Sequence, residues 1–99
     1  MKITLIVAAL LAVSGTAMAD QRLAQSKACL SCHQIEKKVV GPAFKDVANK
    51  YKGDAKAVDH LTHVIQHGGK GVWGNIPMPP QSSVKSDDAE KLAKWVLSL

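Results

Sequence analysis

Two cysteines and a histidine occupy one short segment, Cys29-Leu30-Ser31-Cys32-His33, and this C-x-x-C-H pattern constrains the chain more than any other feature. Two thiols one helical turn apart can each add to one vinyl group of a porphyrin, and the adjacent histidine then faces the iron. The pattern therefore predicts one covalently attached haem c. Cys29 and Cys32 would hold the porphyrin, and His33 would be the proximal iron ligand.

Three other uses of the cysteine pair are less consistent with the sequence. A disulfide across so short a loop would stabilise the chain little, because the effect grows with loop length. A zinc site needs further ligands, and a second cysteine pair is missing. A dithiol oxidoreductase belongs with a βαβ pattern, which the sequence lacks. Dithiol chemistry at Cys29 and Cys32 is kept as an alternative.

The first nineteen residues have the pattern of an export signal. Lys2 precedes an apolar run over residues 3–13, and Ala17-Met18-Ala19 is an A-x-A cleavage site. A membrane span needs about 20 apolar residues, and this run has eleven. We therefore predict cleavage after Ala19, no membrane anchor, and a mature domain over residues 20–99 in the periplasm.

The mature domain is short of material for a hydrophobic core. It contains only four aromatic residues, and domains below about 70–80 residues usually need a metal, a disulfide or another staple. Burying a haem against Leu, Val, Ile and Trp side chains would stabilise such a domain by about 25 cal/mol per Å² of apolar area.

The hydrophobic periodicity predicts an all-α fold of about four helices around the haem. The helices are expected over residues 21–32, 43–51, 54–67 and 87–97. Ser86 is the expected N-cap of the last helix. No segment alternates cleanly enough to predict a strand.

Met78 lies in a long Gly/Pro-rich segment, residues 68–85, that is predicted to be irregular. A lone methionine often fills a core, but here it stands between prolines, which stiffen the chain. Methionine opposite histidine is the ligand pair of electron-transfer haems, and it raises the reduction potential. We predict Met78 as the sixth iron ligand. Trp73 and Ile76 on the same segment predict that it packs against something.

These features together resemble the small bacterial class I cytochromes c, most closely the cytochrome c-551/c-552 type. The matching segments run in order along nearly the whole mature chain. They are residues 29–33, 40–48, 71–80 and 92–97.

The resemblance implies roles for three further residues. The carbonyl of Pro42 would accept a hydrogen bond from His33 and orient it. Trp73 would contact a haem propionate, and Trp95 would pack in the helical core beside the haem. With both axial positions of the iron filled, the protein is expected to be an electron carrier and not an enzyme. The alternative is a redox or gas-sensing module in which Met78 leaves the iron.

The chain departs from the family at two positions. Val64 stands where the family often has a basic partner for the propionate, and Gln81 stands where it often has an asparagine that tunes the methionine. Nearby residues that could replace the basic partner are His60, His63, His67 and Lys70.

His60, His63 and His67 lie near one face of the third predicted helix and could bind a metal. Two histidines without a carboxylate or cysteine as third ligand make a weak site. The favoured interpretation is a solvated polar face.

The charge of the chain indicates its partners. The net charge is +5, and removal of Lys2 with the signal leaves +4 on the mature chain. A positive field steers acidic partners, so acidic docking surfaces are expected on its redox partners. The family resemblance implies a quinol-oxidising complex as donor and a terminal oxidase or reductase as acceptor. A nucleic-acid partner is not expected, because the domain is predicted to be exported and its aromatic residues do not interleave with basic ones. A monomer is expected.

Overall fold

The computed structural model describes residues 18–99. Residues 1–17, which contain most of the predicted export signal, lie outside the described part of the chain. No helix within residues 18–99 is long and apolar enough to cross a membrane.

The described chain is built mainly from four helices, as predicted. Helix α1 covers residues 18–26, and a short 3-10 turn follows at Cys29–Ser31. The other helices are α2 (Phe44–Lys50), α3 (Ala57–His67) and α4 (Ser86–Leu97). The all-α, cytochrome-like fold class is confirmed.

The prediction of one continuous helix over residues 21–32 is wrong. Helix α1 ends at residue 26, and Ala28 adopts a left-handed conformation with φ +60° before the 3-10 turn. Two serine hydroxyls donate to backbone carbonyls at this break, Ser26 to Leu23 at 2.8 Å and Ser31 to Ala28 at 2.6 Å. Such local bonds compete with the helical ladder, and they coincide here with its end.

The segment 68–85 is not wholly irregular, and the expectation of no strand is also wrong. It contains an antiparallel hairpin of β1 (Gly69–Gly71) and β2 (Gly74–Met78). Gly71 and Gly74 flank the two-residue tip with φ values of +92° and +115°, which side chains rarely adopt. These strands cannot be recognised from the sequence, because glycine and proline are poor strand formers and no apolar/polar alternation marks them.

Two helix starts differ slightly from the prediction. Residue 54 was expected to begin the third helix, but the Asp54 carboxylate accepts a bond from the Lys56 backbone N–H at 2.9 Å, and the helix begins at Ala57. That local bond favours a turn. Ser86 is the first residue of α4 and not its N-cap, since Lys85 occupies the cap position without a side-chain hydrogen bond.

Helix α4 is the centre of the core. It packs against α2 and α3, and one of its faces is buried. The buried residues of that face are Ala89, Leu92, Ala93, Trp95 and Val96. Facing them are Phe44 and Val47 of α2, Ala24 of α1 and Val84. Leu61 and Ile65 of α3 are only partly buried against this cluster.

Replacing Trp95 by alanine is expected to lower the free energy of unfolding by about 3–5 kcal/mol, as large-to-small changes of buried aromatics do. Trp95 is 5% exposed and packs edge-on against Phe44 at 5.5 Å. The measurement is denaturant unfolding of the haem-loaded protein. Lys91→Ala, on the exposed face of the same helix, is the control and should change stability little. A loss below 1 kcal/mol in Trp95→Ala would contradict the proposed core.

Candidate functional site

The C-x-x-C-H segment forms one tight turn. The backbone N–H groups of Cys32 and His33 both donate to the Cys29 carbonyl, at 3.2 and 3.0 Å. Both thiols are free, with Cys29 half-buried and Cys32 exposed. The turn thus carries two thiols and an imidazole within one short loop, and no disulfide joins the thiols.

The Cys29 thiol has the wrong electrostatics for dithiol exchange. Burial raises the pKa of Cys29, and the neighbouring Cys32 raises it further, against the lowering effect of a backbone hydrogen bond. A reactive cysteine in a C-x-x-C oxidoreductase needs a lowered pKa, because the thiolate is the nucleophile. The site therefore does not favour the dithiol alternative.

The loop after His33 folds back and orients the imidazole. Gly41 N–H donates to the Cys32 carbonyl at 2.8 Å, which brings the Pro42 carbonyl to 2.8 Å from His33 Nδ1. A carbonyl can only accept, so Nδ1 must carry the proton. The other nitrogen, Nε2, then presents a lone pair, which is the form of histidine that binds a metal.

Two further contacts hold the His33 ring. It stacks on Phe44 with ring centroids 4.8 Å apart and planes 19° from parallel. Phe44 in turn meets Trp95 edge-on, so a line of three rings joins the imidazole to α4. Gly41 also approaches so closely that a Cβ there would lie 2.4 Å from His33 Cε1.

Met78 is positioned by the hairpin. It is the last residue of β2, pairs with Gly69 and is half-buried. A Cβ at Gly68 would lie 2.7 Å from the Met78 carbonyl, so the end of α3 and the end of β2 meet without a side chain between them. Met78 is thus held by a paired strand and not by proline stiffness alone.

Trp73 lies at the tip of the hairpin, 40% exposed. The Nζ of Lys50, at the end of α2, lies 5.7 Å from the centre of the Trp73 ring and 5.9 Å from that of Tyr51. Sequence reasoning missed Lys50. It lies 23 residues from Trp73, and only the packing of the hairpin tip near α2 brings the two together.

Gln81 is engaged with the backbone. Its side-chain amide donates to the Pro79 carbonyl at 3.1 Å, and its own N–H donates to the Ile65 carbonyl at 2.9 Å. Both contacts tie the segment after Met78 to itself and to α3. Val64, at the other position of departure, is half-buried, and its nearer methyl carbon would lie 3.1 Å from a Cβ at Gly69.

Within residues 18–99 the polypeptide leaves apolar side chains of this segment exposed, and its predicted packing against another group remains a prediction. Ile76 is 65% exposed and Val72 is 53% exposed, and Val39 and Val40, in the loop after His33, are also exposed. Exposed apolar patches commonly mark a ligand or partner surface.

The residues present fit a covalent haem. Two free thiols share a turn with a histidine whose Nε2 carries a free lone pair, and a thioether is available at Met78. Thiol, imidazole and thioether are the donor set of a His/Met c-type site. A helical domain with this turn and this oriented histidine defines the class of small haem-binding electron-transfer proteins.

The chain belongs to the cytochrome c family. Residues 18–99 match the family described as Cytochrome c, whose members carry covalently attached haem c and transfer electrons.

Individual relatives agree with this assignment. The chain is 48% identical over 91 residues to cytochrome c-552 of Hydrogenobacter thermophilus, covering 92% of each chain. It is 51% identical over 89 residues to cytochrome c-551 of Pseudomonas aeruginosa, covering 90% of this chain and 85% of that one. The crystal structure of Nitrosomonas europaea cytochrome c552 superposes with a TM-score of 0.78 at 49% identity, covering 80% of this chain and 98% of that one. The predicted resemblance to the c-551/c-552 type is confirmed.

Replacing Gly41 by alanine is expected to displace the His33 ring. Gly41 does not have a positive φ, so the added methyl acts by collision with the imidazole and not by backbone strain. We expect a loss of about 1–3 kcal/mol in unfolding free energy, as for other overpacked sites, together with a shifted haem absorption spectrum. Both are measured on the haem-loaded protein.

The control is Gly69→Ala, where the new methyl group meets only a valine methyl that can move. Equal effects of the two substitutions would show that the close approach of Gly41 to His33 is unimportant.

Proposed function

We propose that this protein is a periplasmic one-electron carrier whose single haem c is attached through Cys29 and Cys32 and ligated by His33 and Met78. The haem, when bound, supplies the redox chemistry, its iron alternating between ferrous and ferric states. The polypeptide holds the two axial donors, excludes water and presents a docking surface. Respiratory complexes are the proposed donors and acceptors.

The observation that carries this proposal is the hydrogen bond between His33 Nδ1 and the Pro42 carbonyl at 2.8 Å. It sets the tautomer, and the stacking on Phe44 sets the plane of the ring. An imidazole prepared in this way costs little reorganisation when it binds iron or when the iron changes charge. A small reorganisation of the ligand favours rapid electron transfer, since no bond has to break.

Met78 supports the carrier function over sensing or catalysis. A methionine ligand fills the sixth position, so no coordination site is left for a substrate or a diatomic gas. Its strand is paired to β1, and Gln81 N–H bonds to the Ile65 carbonyl just beyond it. These contacts restrain the hairpin end and oppose departure of the thioether. No observation favours the sensing alternative.

Lys50 and Trp73 are proposed as the polar anchor for a haem propionate. The Lys50 ammonium lies near the Trp73 indole at the hairpin tip. Lys50 would supply the positive charge that the family often has at the position of Val64. Of the substitutes considered from sequence, His60 is already bonded to Tyr51 Oη at 3.2 Å. Lys50 is therefore a better candidate than His60 for the missing basic partner.

The partners are proposed to be acidic redox proteins, a quinol-oxidising complex on one side and a terminal oxidase or reductase on the other. Positive charge of +4 on the mature chain would accelerate their encounter and make it salt-dependent. The exposed apolar side chains Val39, Val40, Val72 and Ile76 provide a surface for brief contact. We propose that the protein acts as a monomer after cleavage behind Ala19.

Replacing Met78 by alanine is expected to open the sixth position. The ferrous variant should bind carbon monoxide at neutral pH, and its reduction potential should fall on the order of 100 mV, because the thioether favours ferrous iron. Absorption spectra with and without the gas, and potentiometric titration, measure both effects.

Ile76→Ala, an exposed change on the same strand, is the control and should leave gas binding and potential nearly unchanged. Carbon monoxide binding by the unaltered ferrous protein would instead support the sensing alternative. An unchanged reduction potential in Met78→Ala would show that Met78 does not ligate the iron.

Replacing Lys50 by glutamine is expected to lower the reduction potential by on the order of tens of millivolts, because a nearby positive charge stabilises the added electron. Lys52→Gln removes the same charge two residues away, and among residues 18–99 Lys52 makes no cation–π contact with Trp73. A clearly larger fall in potential for Lys50→Gln than for Lys52→Gln supports Lys50 as the propionate anchor. Equal falls would show that Lys50 acts only through the net charge of the protein.

A further inference from the structure

Helix α3 carries two histidine side chains that lie beside each other and are not among the proposed iron ligands. His63 and His67 are four residues apart, and their ring centroids lie 4.4 Å apart with planes inclined by 35°. Both side chains are exposed. Residues at this spacing lie one above the other on a helix surface, so both rings can reach the same ion from one side.

The other two histidines of the chain have partners, but these two do not. His33 is bonded to Pro42 and His60 to Tyr51. Within residues 18–99, neither His63 nor His67 has a side-chain hydrogen bond or an ion pair. Their ring nitrogens are therefore available to a ligand from solvent.

We propose that His63 and His67 form a two-histidine site for a divalent transition-metal ion, with Cu²⁺ preferred over Ni²⁺ and Zn²⁺. Imidazole suits these metals, and copper stands at the top of their common affinity order. The proposal is independent of the haem ligands, since it uses neither His33 nor Met78.

The helix prepares the site in two ways. The two rings already lie side by side, so binding a metal orders few additional rotamers. His67 is also the last residue of α3, where the negative end of the helix dipole favours a cation. Both effects stabilise the bound ion without any change of backbone.

The site is open and exchangeable, unlike a structural zinc site. Asp59 lies four residues before His63. Among the described residues, however, no group of three metal-binding side chains is assembled. Water must complete the coordination shell. The two-histidine site departs from the sequence-based interpretation of these histidines as a solvated polar face, because the structure places the rings of His63 and His67 beside each other.

The test is calorimetric titration of Cu²⁺ into the ferric, haem-loaded protein, in which no electron can pass to copper. We expect one ion per chain, with electron paramagnetic resonance showing two nitrogen ligands. Separate titrations with Ni²⁺ and Zn²⁺ should give weaker binding. His63→Gln and His67→Gln should each weaken Cu²⁺ binding by about tenfold or more, because loss of one ligand ends chelation.

His60→Gln is the matched control, since it removes a histidine from the same helix while leaving the pair intact. It should retain Cu²⁺ affinity within about twofold. Circular dichroism and the haem spectrum of each variant show that folding and axial ligation are preserved. The proposal fails if His60→Gln weakens binding as much as the pair variants do, or if the His63→Gln/His67→Gln double variant binds copper as tightly as the unaltered protein.

Discussion

The imidazole of His33 is the point on which the rest of the structure depends. Its Nδ1 proton is directed to the Pro42 carbonyl, and its face rests on Phe44, which meets Trp95 in the core. The imidazole is therefore held both by its own loop and by the central helix. Because a hydrogen bond and a stacking contact orient the ring, the proposed ligand would already be in place when the iron changes charge.

Glycine at two positions allows a close backbone approach beside each proposed iron ligand. Gly41 allows the loop to pass directly beside the His33 ring, and Gly68 allows the end of α3 to meet the Met78 carbonyl. A side chain at Gly41 would collide with the His33 ring, and one at Gly68 would collide with the Met78 carbonyl. The small aromatic content of the chain adds to this dependence, since four rings must serve both the core and the haem surroundings.

Sequence reasoning succeeded where chemistry or strong periodicity acts locally. The C-x-x-C-H box is contiguous, and the apolar stripe of α4 repeats every three or four residues, so both were recognisable without a structure. It failed at Ala28, where a left-handed residue divides the first helix, and at Gly69–Met78, where strands form from residues with little strand propensity. In both places hydrogen bonds help decide the conformation. At the helix break these are side-chain bonds to backbone carbonyls, and in the hairpin they are bonds between two strands. The sequence pattern of one helix or strand does not reveal either kind.

The sequence by itself determined the cofactor chemistry, because thiols, imidazole and thioether are properties of residue types and of their spacing along the chain. It also determined that the core would be helical and small. Only the tertiary structure decided which cation lies at Trp73, since Lys50 and the hairpin tip are distant in sequence and meet through packing. The tautomer of His33 and the free pair His63 and His67 were likewise decided by folding, because a hydrogen-bond partner is assigned only when loops and helices are placed in space.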